Sequence, residues 1–146
     1  MVRDQRMCLS NSATFPCDAT APQRARAFCL ECVRDVSRTG SGASDTVGDC
    51  LIVVSELISN AVKAGSAIVG LIVDVHRDHV RITAEDDAPG VPQRVTVGPD
   101  DRYGRGLAIV ESLSRSWGVH RQANGKSVWA DVAIPSGLAV AVECRL

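Results

Sequence analysis

The segment VVSELISNAVKAG, Val53 to Gly65, constrains this chain more than any other. Leu51, Val54, Ile58 and Ala61 recur at the spacing of one helical face, which predicts an amphipathic helix with a buried stripe. Glu56 and Asn60 stand at i and i+4 on that helix, so their side chains leave one face a turn apart, at the margin of the stripe. An ionised carboxylate in such a place is costly without a partner. On the residues alone, the pair is either a glutamate that reaches water beside a capping asparagine, or a carboxylate and a carboxamide that together hold a hydrated cation.

In RITAEDDAPGVP, Arg81 to Pro92, and the residues just before it, Val80, Ile82 and Ala84 alternate with His79, Arg81, Thr83 and Glu85, the period of a strand with one buried face. Continuing the alternation puts Asp86 inward and Asp87 outward. An inward carboxylate needs a donor, supplied either by a ligand NH group or by the ordinary contacts of an acidic turn. Pro89, Gly90 and Pro92 forbid further strand or helix, so the chain leaves in a loop whose backbone can approach a ligand closely. In DRYGRGLAIVESLSRSWGV, Asp101 to Val119, Gly104 and Gly106 precede Leu107, Ile109, Val110 and Leu113, whose spacing predicts a helix beginning near Gly106. A glycine-lined helix N-terminus offers free backbone NH groups and the positive end of the dipole to a polyphosphate; the same pattern also serves as a flexible loop entering a core helix.

In this order and at these separations, the three segments resemble the ATP-binding domain shared by gyrase, the Hsp90 chaperones, histidine kinases and the mismatch-repair protein MutL. ELISN is similar to that superfamily's N-box, EDDAPGVP to its first glycine box and GRGL to its second. VVSELISNAV, GRGLAIV, the SWG after it and GKSVWADV (Gly125 to Val132) most resemble the small stand-alone branch, the anti-sigma factor serine kinases and related bacterial regulatory ATP-binding proteins, over roughly Phe15 to Ile134.

The resemblance implies an α+β two-layer sandwich with helices packed on one face of a mostly antiparallel mixed sheet, and ATP and Mg2+ as cofactors. It implies that Asn60 coordinates Mg2+ at the ATP phosphates and that Glu56 is the acid/base that orients or deprotonates the attacking group. Asp86 would accept the adenine amino hydrogen, Gly90 would let the loop pass near the base, and Gly104 and Gly106 would wrap the phosphates. Arg105, Leu107, Lys126 and Ser127 complete the implied nucleotide site. Two positions depart from the family pattern: Ala88 stands where the first glycine box has its first glycine, and Ala64 where a histidine often follows the N-box asparagine.

Two functions follow from the resemblance. One is a serine/threonine kinase that sequesters a sigma factor and phosphorylates an anti-anti-sigma partner of the STAS type. The other is a non-catalytic module that uses nucleotide only to shape a partner surface. A sensor histidine kinase is disfavoured, since no upstream helical hairpin with a phospho-accepting histidine is recognisable. A homodimer is compatible with either function.

Composition bounds the rest. The 146 residues are 45% hydrophobic and 3% aromatic, which predicts one domain with a core of Val, Leu, Ile and Ala over about residues 8–134 and a tail over 135–146. A formal charge of -1 with scattered Lys and Arg gives no basic face for nucleic acid. No apolar run approaches the roughly 20 residues that span a bilayer, and MVRDQRMCLSNS lacks a signal peptide's apolar stretch, so a cytoplasmic protein without membrane contact is expected. Six irregularly spaced cysteines (Cys8, Cys17, Cys29, Cys32, Cys50 and Cys144) are expected to be mostly packing residues. Cys29 and Cys32 form a CxxC that no second CxxC or His pair completes as a zinc site.

The remaining elements follow from local pattern. A first strand is predicted over Cys8 to Phe15, a helix from Ala21 to Ser37, a flexible Thr39 to Ala43 connection, and the N-box helix capped by Ser44 or Asp45. Ala67 to His76 and His79 to Asp86 form a hairpin about Arg77-Asp78, which leaves His76 and His79 exposed. A short polar loop from Val91 to Arg102 suits a nucleotide lid. The Gly106 to Ser116 helix is followed by strands over Trp117 to Gln122 and Ser127 to Ile134, joined at Asn124-Gly125.

Overall fold

The computed structural model describes residues 9–34, 36, 43–87 and 102–135. Period-2 burial builds the sheet and period-3.6 burial the layer above it. The order is β1 (Leu9–Pro16), α1 (Ala21–Cys32), α2 (Ala43–Lys63), β2 (Ile68–Val75), β3 (His79–Asp86), α3 (Arg102–Leu113), β4 (Ser116–Gln122) and β5 (Gly125–Ala133). The strands lie in the order β1-β2-β3-β5-β4, and every described pairing is antiparallel, so the mixed character expected of the sheet has no counterpart among the described strands.

Register explains which residues share a face. Val69, Leu71, Val73 and Val75 of β2 lie opposite Asp86, Ala84, Ile82 and Val80 of β3, which in turn oppose Lys126, Val128, Ala130 and Val132 of β5. The apolar members of these rows are all buried and form the floor of the core. On the other face, the Arg81 guanidinium stacks 4.2 Å from the Trp129 ring centre. A Cβ at Gly118 would come within 2.8 Å of that indole, so the SWG segment keeps its glycine to let β4 lie beside Trp129.

The roof is α2. Cys50, Val53, Val54, Leu57, Ile58 and Ala61 are all buried, a stripe wider than one partner requires, because α2 packs on β3, β5, α1 and α3. Fully burying a side chain such as Ile58 contributes about 1.5–3 kcal/mol. α1 lies against α2 through Ala21, Ala25 and Cys29, small side chains four apart, and Arg26 Nη1 donates to Ser55 Oγ at 3.0 Å. Burial pushes the Cys29 thiol up to about 12 and raises the Cys50 thiol well above its ordinary value, and both side chains pack in the core. Cys8 and Cys144 lie outside the described residues.

Several boundaries move for identifiable reasons. α1 stops at Cys32 and not at Ser37, because a turn with Val36 N bonded to Val33 O at 3.0 Å buries both valines. α2 begins at Ala43, so Ser44 and Asp45 lie in its first turn. α3 begins at Arg102 and ends at Leu113; past its end, Arg115 N bonds to Asp131 O at 2.9 Å and draws the chain to the sheet. Apart from Ala43, Arg102 and Pro135, the Thr39 to Ala43 connection, the Val91 to Arg102 lid and the tail lie outside the described residues.

The two histidines are also placed otherwise than expected. His76 is buried, and its ring stacks on that of His79 with centroids 4.3 Å apart. His79 Nδ1 lies 2.6 Å from Asp78 Oδ1, and the Asp78 carboxylate also accepts from Arg115 Nη1 at 3.3 Å. The hairpin end is thus an electrostatic cluster, closed by residues distant in sequence. Among the described residues, no helix is long and apolar enough to cross a membrane.

Candidate functional site

The polar margin of α2 faces α3. Glu56 is half-buried, and Asn60, one turn on, is only 7% exposed. Neither the Asn60 Oδ1 nor its Nδ2 has a hydrogen-bond partner among the described residues. Leaving a buried polar group unmet costs about 1–3 kcal/mol, so the fold carries an amide better suited to a bound group than to its own core.

Gly106 lies directly over this pair. A Cβ there would stand 2.8 Å from Glu56 Oε2 and 3.4 Å from Asn60 Oδ1, so glycine permits the close approach of α3 to the polar face of α2. Gly106 and Gly104 lie within α3 and do not precede it. Packing has outweighed glycine's poor helix propensity, which costs about 1 kcal/mol relative to alanine. Leu107, the next residue, is fully buried. Arg105 lies between the two glycines on α3, while Gly90 falls outside the described residues.

Asp86 ends β3 on the helix-covered face, and its side chain is 4% exposed. Directly across the ladder, Lys126 is 3% exposed and its Nζ lies 3.0 Å from Asp86 Oδ1. Gly125 makes this closeness feasible: its φ is 141°, and a Cβ there would be 1.9 Å from the Asp86 carbonyl oxygen. Asp87 points the other way, is exposed and accepts from Ala67 N at 3.1 Å. Ser127 alternates away from Lys126 and opposes Glu85, so its side chain does not join the ion pair.

Backbone ties gather these groups at one end of the molecule. Ser66 N bonds to Ala61 O at the close of α2, Ala67 N reaches Asp87, and Cys17 N donates to Ala67 O at 3.0 Å. Ser66 Oγ, also buried, has no partner among the described residues. Burial, followed by the charges of Asp86 and Asp87, pushes the Cys17 thiol up, which marks Cys17 as a neighbour of the β3 end. Nothing in the sequence pattern identified Cys17. Lys126 shares the inward face with Val128, Ala130 and Val132, whose alternation it continues.

Chemically, the end combines a buried acceptor-only carboxylate, a buried ammonium, an unpartnered amide and a half-buried glutamate. Among the described residues, no group of three or more His, Cys, Asp or Glu side chains could hold a metal. A divalent cation arriving with phosphate oxygens needs only a ligand or two from the protein, and the unpartnered Asn60 oxygen fits that need.

The family model described as histidine kinase-like ATPase domain matches residues 19–132. A solved histidine kinase domain from the Erythrobacter litoralis EL346 blue-light activated histidine kinase superposes with a TM-score of 0.52 at 22% identity, covering 81% of this chain and 64% of that one. A second structure of the Erythrobacter litoralis EL346 blue-light activated histidine kinase gives a TM-score of 0.45 at 21% identity, with 82% of this chain and 42% of that one covered. No curated protein matches the chain. At such identity the first structure speaks for the fold alone, and this chain spans under two thirds of its length. The family match spans most of the chain and includes the α2 pair, Asp86, Gly106 and Lys126: the chain belongs to the histidine kinase-like ATPase domain family.

Proposed function

We propose that the protein is a cytoplasmic ATP-binding regulator that acts as an anti-sigma factor serine/threonine kinase, holding a sigma factor and phosphorylating an anti-anti-sigma partner of the STAS type. The observation that carries it is the unpartnered, buried Asn60 amide one helical turn from Glu56, both beneath Gly106. Asn60 lends an oxygen to Mg2+, which when bound neutralises charge on the ATP phosphates. Asp86 accepts a hydrogen of the adenine amino group. Glu56 orients the partner's hydroxyl and takes its proton as the oxygen bonds to the γ-phosphorus and the bond to the ADP oxygen breaks. The partner classes and the serine/threonine acceptor rest on the resemblance of the ELISN, GRGL and GKSVWADV segments to that branch.

The test is transfer of labelled phosphate from ATP to a single acceptor in the organism's own lysate. Glu56→Gln is expected to keep ATP and partner binding and to lose transfer by about 10²- to 10⁴-fold. Gly106→Ala should lower transfer as well, because the new methyl group displaces the end of the Glu56 side chain. A wild-type protein that binds ATP and shifts its partner affinity with nucleotide, yet labels no acceptor, is the non-catalytic module instead.

A further inference from the structure

The Asp86–Lys126 pair lies across the ladder at the end of β3. Both side chains are nearly fully buried, and the pair joins facing positions at the ends of β3 and β5. Burying two opposite charges is not a favoured way to hold strands together, since well-packed apolar residues in their place are often as stabilising or more so. An ammonium also has three hydrogens to place. Among the described residues, Lys126 Nζ makes one hydrogen bond, to Asp86 Oδ1. The lysine is therefore fixed beside the carboxylate with donor capacity left over.

We propose that Lys126 is a specificity-determining residue for the base, donating to the ring nitrogen that neighbours the amino group received by Asp86. This deepens the nucleotide reading above and rests on it. An acceptor-only carboxylate beside a donor-only ammonium matches an edge that presents an amino hydrogen next to a bare ring nitrogen, as adenine does. Hypoxanthine and guanine present a carbonyl and a ring NH at the same two places, and each would meet its own kind. Lys126 thus turns one acceptor into a two-position code, and its hydrogen bond holds the Asp86 carboxylate in place when no base is bound. Gly125 is part of the device, since its glycine backbone sets Lys126 against Asp86.

The test compares ATP with 1-deaza-ATP, in which that ring nitrogen is replaced by CH, by calorimetry on the full chain with Mg2+ present. Wild type should bind 1-deaza-ATP about tenfold more weakly than ATP, the scale of one hydrogen bond from a charged donor. Lys126→Met should bind ATP at the weaker level and no longer distinguish the two nucleotides. A purely structural lysine would shift the denaturation midpoint of Lys126→Met but leave the nucleotide contrast as it is in wild type. Equal affinity of wild type for both nucleotides overturns the proposal, as does a contrast that survives in Lys126→Met. The wild-type comparison decides alone if the variant does not fold. Failure of wild type to bind ATP at all removes the nucleotide reading itself, an outcome distinct from ATP binding without contrast.

Discussion

The two ends of the sheet treat their carboxylates in different ways. At the hairpin end, Arg81 Nε and Nη2 grip the Asp131 carboxylate at 2.7 and 3.0 Å, Ser116 Oγ donates to it at 3.3 Å, and Asp78 receives His79 and Arg115. At the other end, Asn60 and Ser66 keep buried polar atoms with no partner among the described residues, and the ion pair is sealed from water. A network that satisfies its carboxylates stabilises the fold. The unmet Asn60 amide, the unmet Ser66 hydroxyl and the sealed charge pair cost stability, and on the proposed function they are retained for what they bind.

The largest expected effect tests the sealed pair. Asp86→Asn leaves the Lys126 ammonium buried without a counter-charge, which should cost about 3–5 kcal/mol in chemical denaturation. Adding Lys126→Met should recover most of that loss, and failure of the double variant to do so would show that the pair is not the source. For this reason, Asp86→Asn alone is a poor probe of base recognition.

Asp131→Asn probes the hairpin end and should cost less, about 1–2 kcal/mol, since Arg81 is 41% exposed and returns partly to water. Burial pushes the Asp131 carboxyl up, but the hydrogen bonds and charge of Arg81 outweigh it and hold the group below the usual carboxylate range. Asp78 is lowered by its His79 hydrogen bond, with Arg115 assisting. Both pKa values are depressed in the folded state. Their stabilisation is therefore complete above the unfolded value near 3.9 and is lost as pH falls through the folded values. Acid denaturation of Asp131→Asn should show a shallower loss below about pH 4 than wild type. Parallel acid curves would remove the network from the account.

Asn60→Ala should have the smallest effect on the unliganded fold, within about 1 kcal/mol, because the amide it removes bonds to nothing among the described residues. Its effect should appear only with ligand. Mg2+ should raise the melting temperature of the ATP-bound wild type and leave that of Asn60→Ala unchanged. Overlaying Mg2+ titrations of the two proteins would withdraw Asn60 from the cation.

Legibility in the sequence followed locality. The α2 stripe and the alternation of β3 were plain because burial repeats within a few residues, and they placed Asn60 at the margin of the stripe and Asp86 inward. The start of α3 was misjudged because Gly104 and Gly106 read as breakers, whereas close packing on Glu56 holds Gly106 in the helix. His76 and His79 looked exposed because His79, on which the His76 ring stacks, meets Arg115 and Asp131, contacts that no short window contains. The Lys126–Asp86 bond crosses 40 positions and needed the register of two strands to be seen.

Gly106 has an evolutionary consequence. A methyl group there meets the flexible end of Glu56, a side chain that can swing aside, while Leu107 and the core beneath need not move. Glycine to alanine is a single-nucleotide change. On the proposed mechanism, a descendant of this protein is one point mutation from trading catalysis for pure sequestration, with no stability valley to cross on the way.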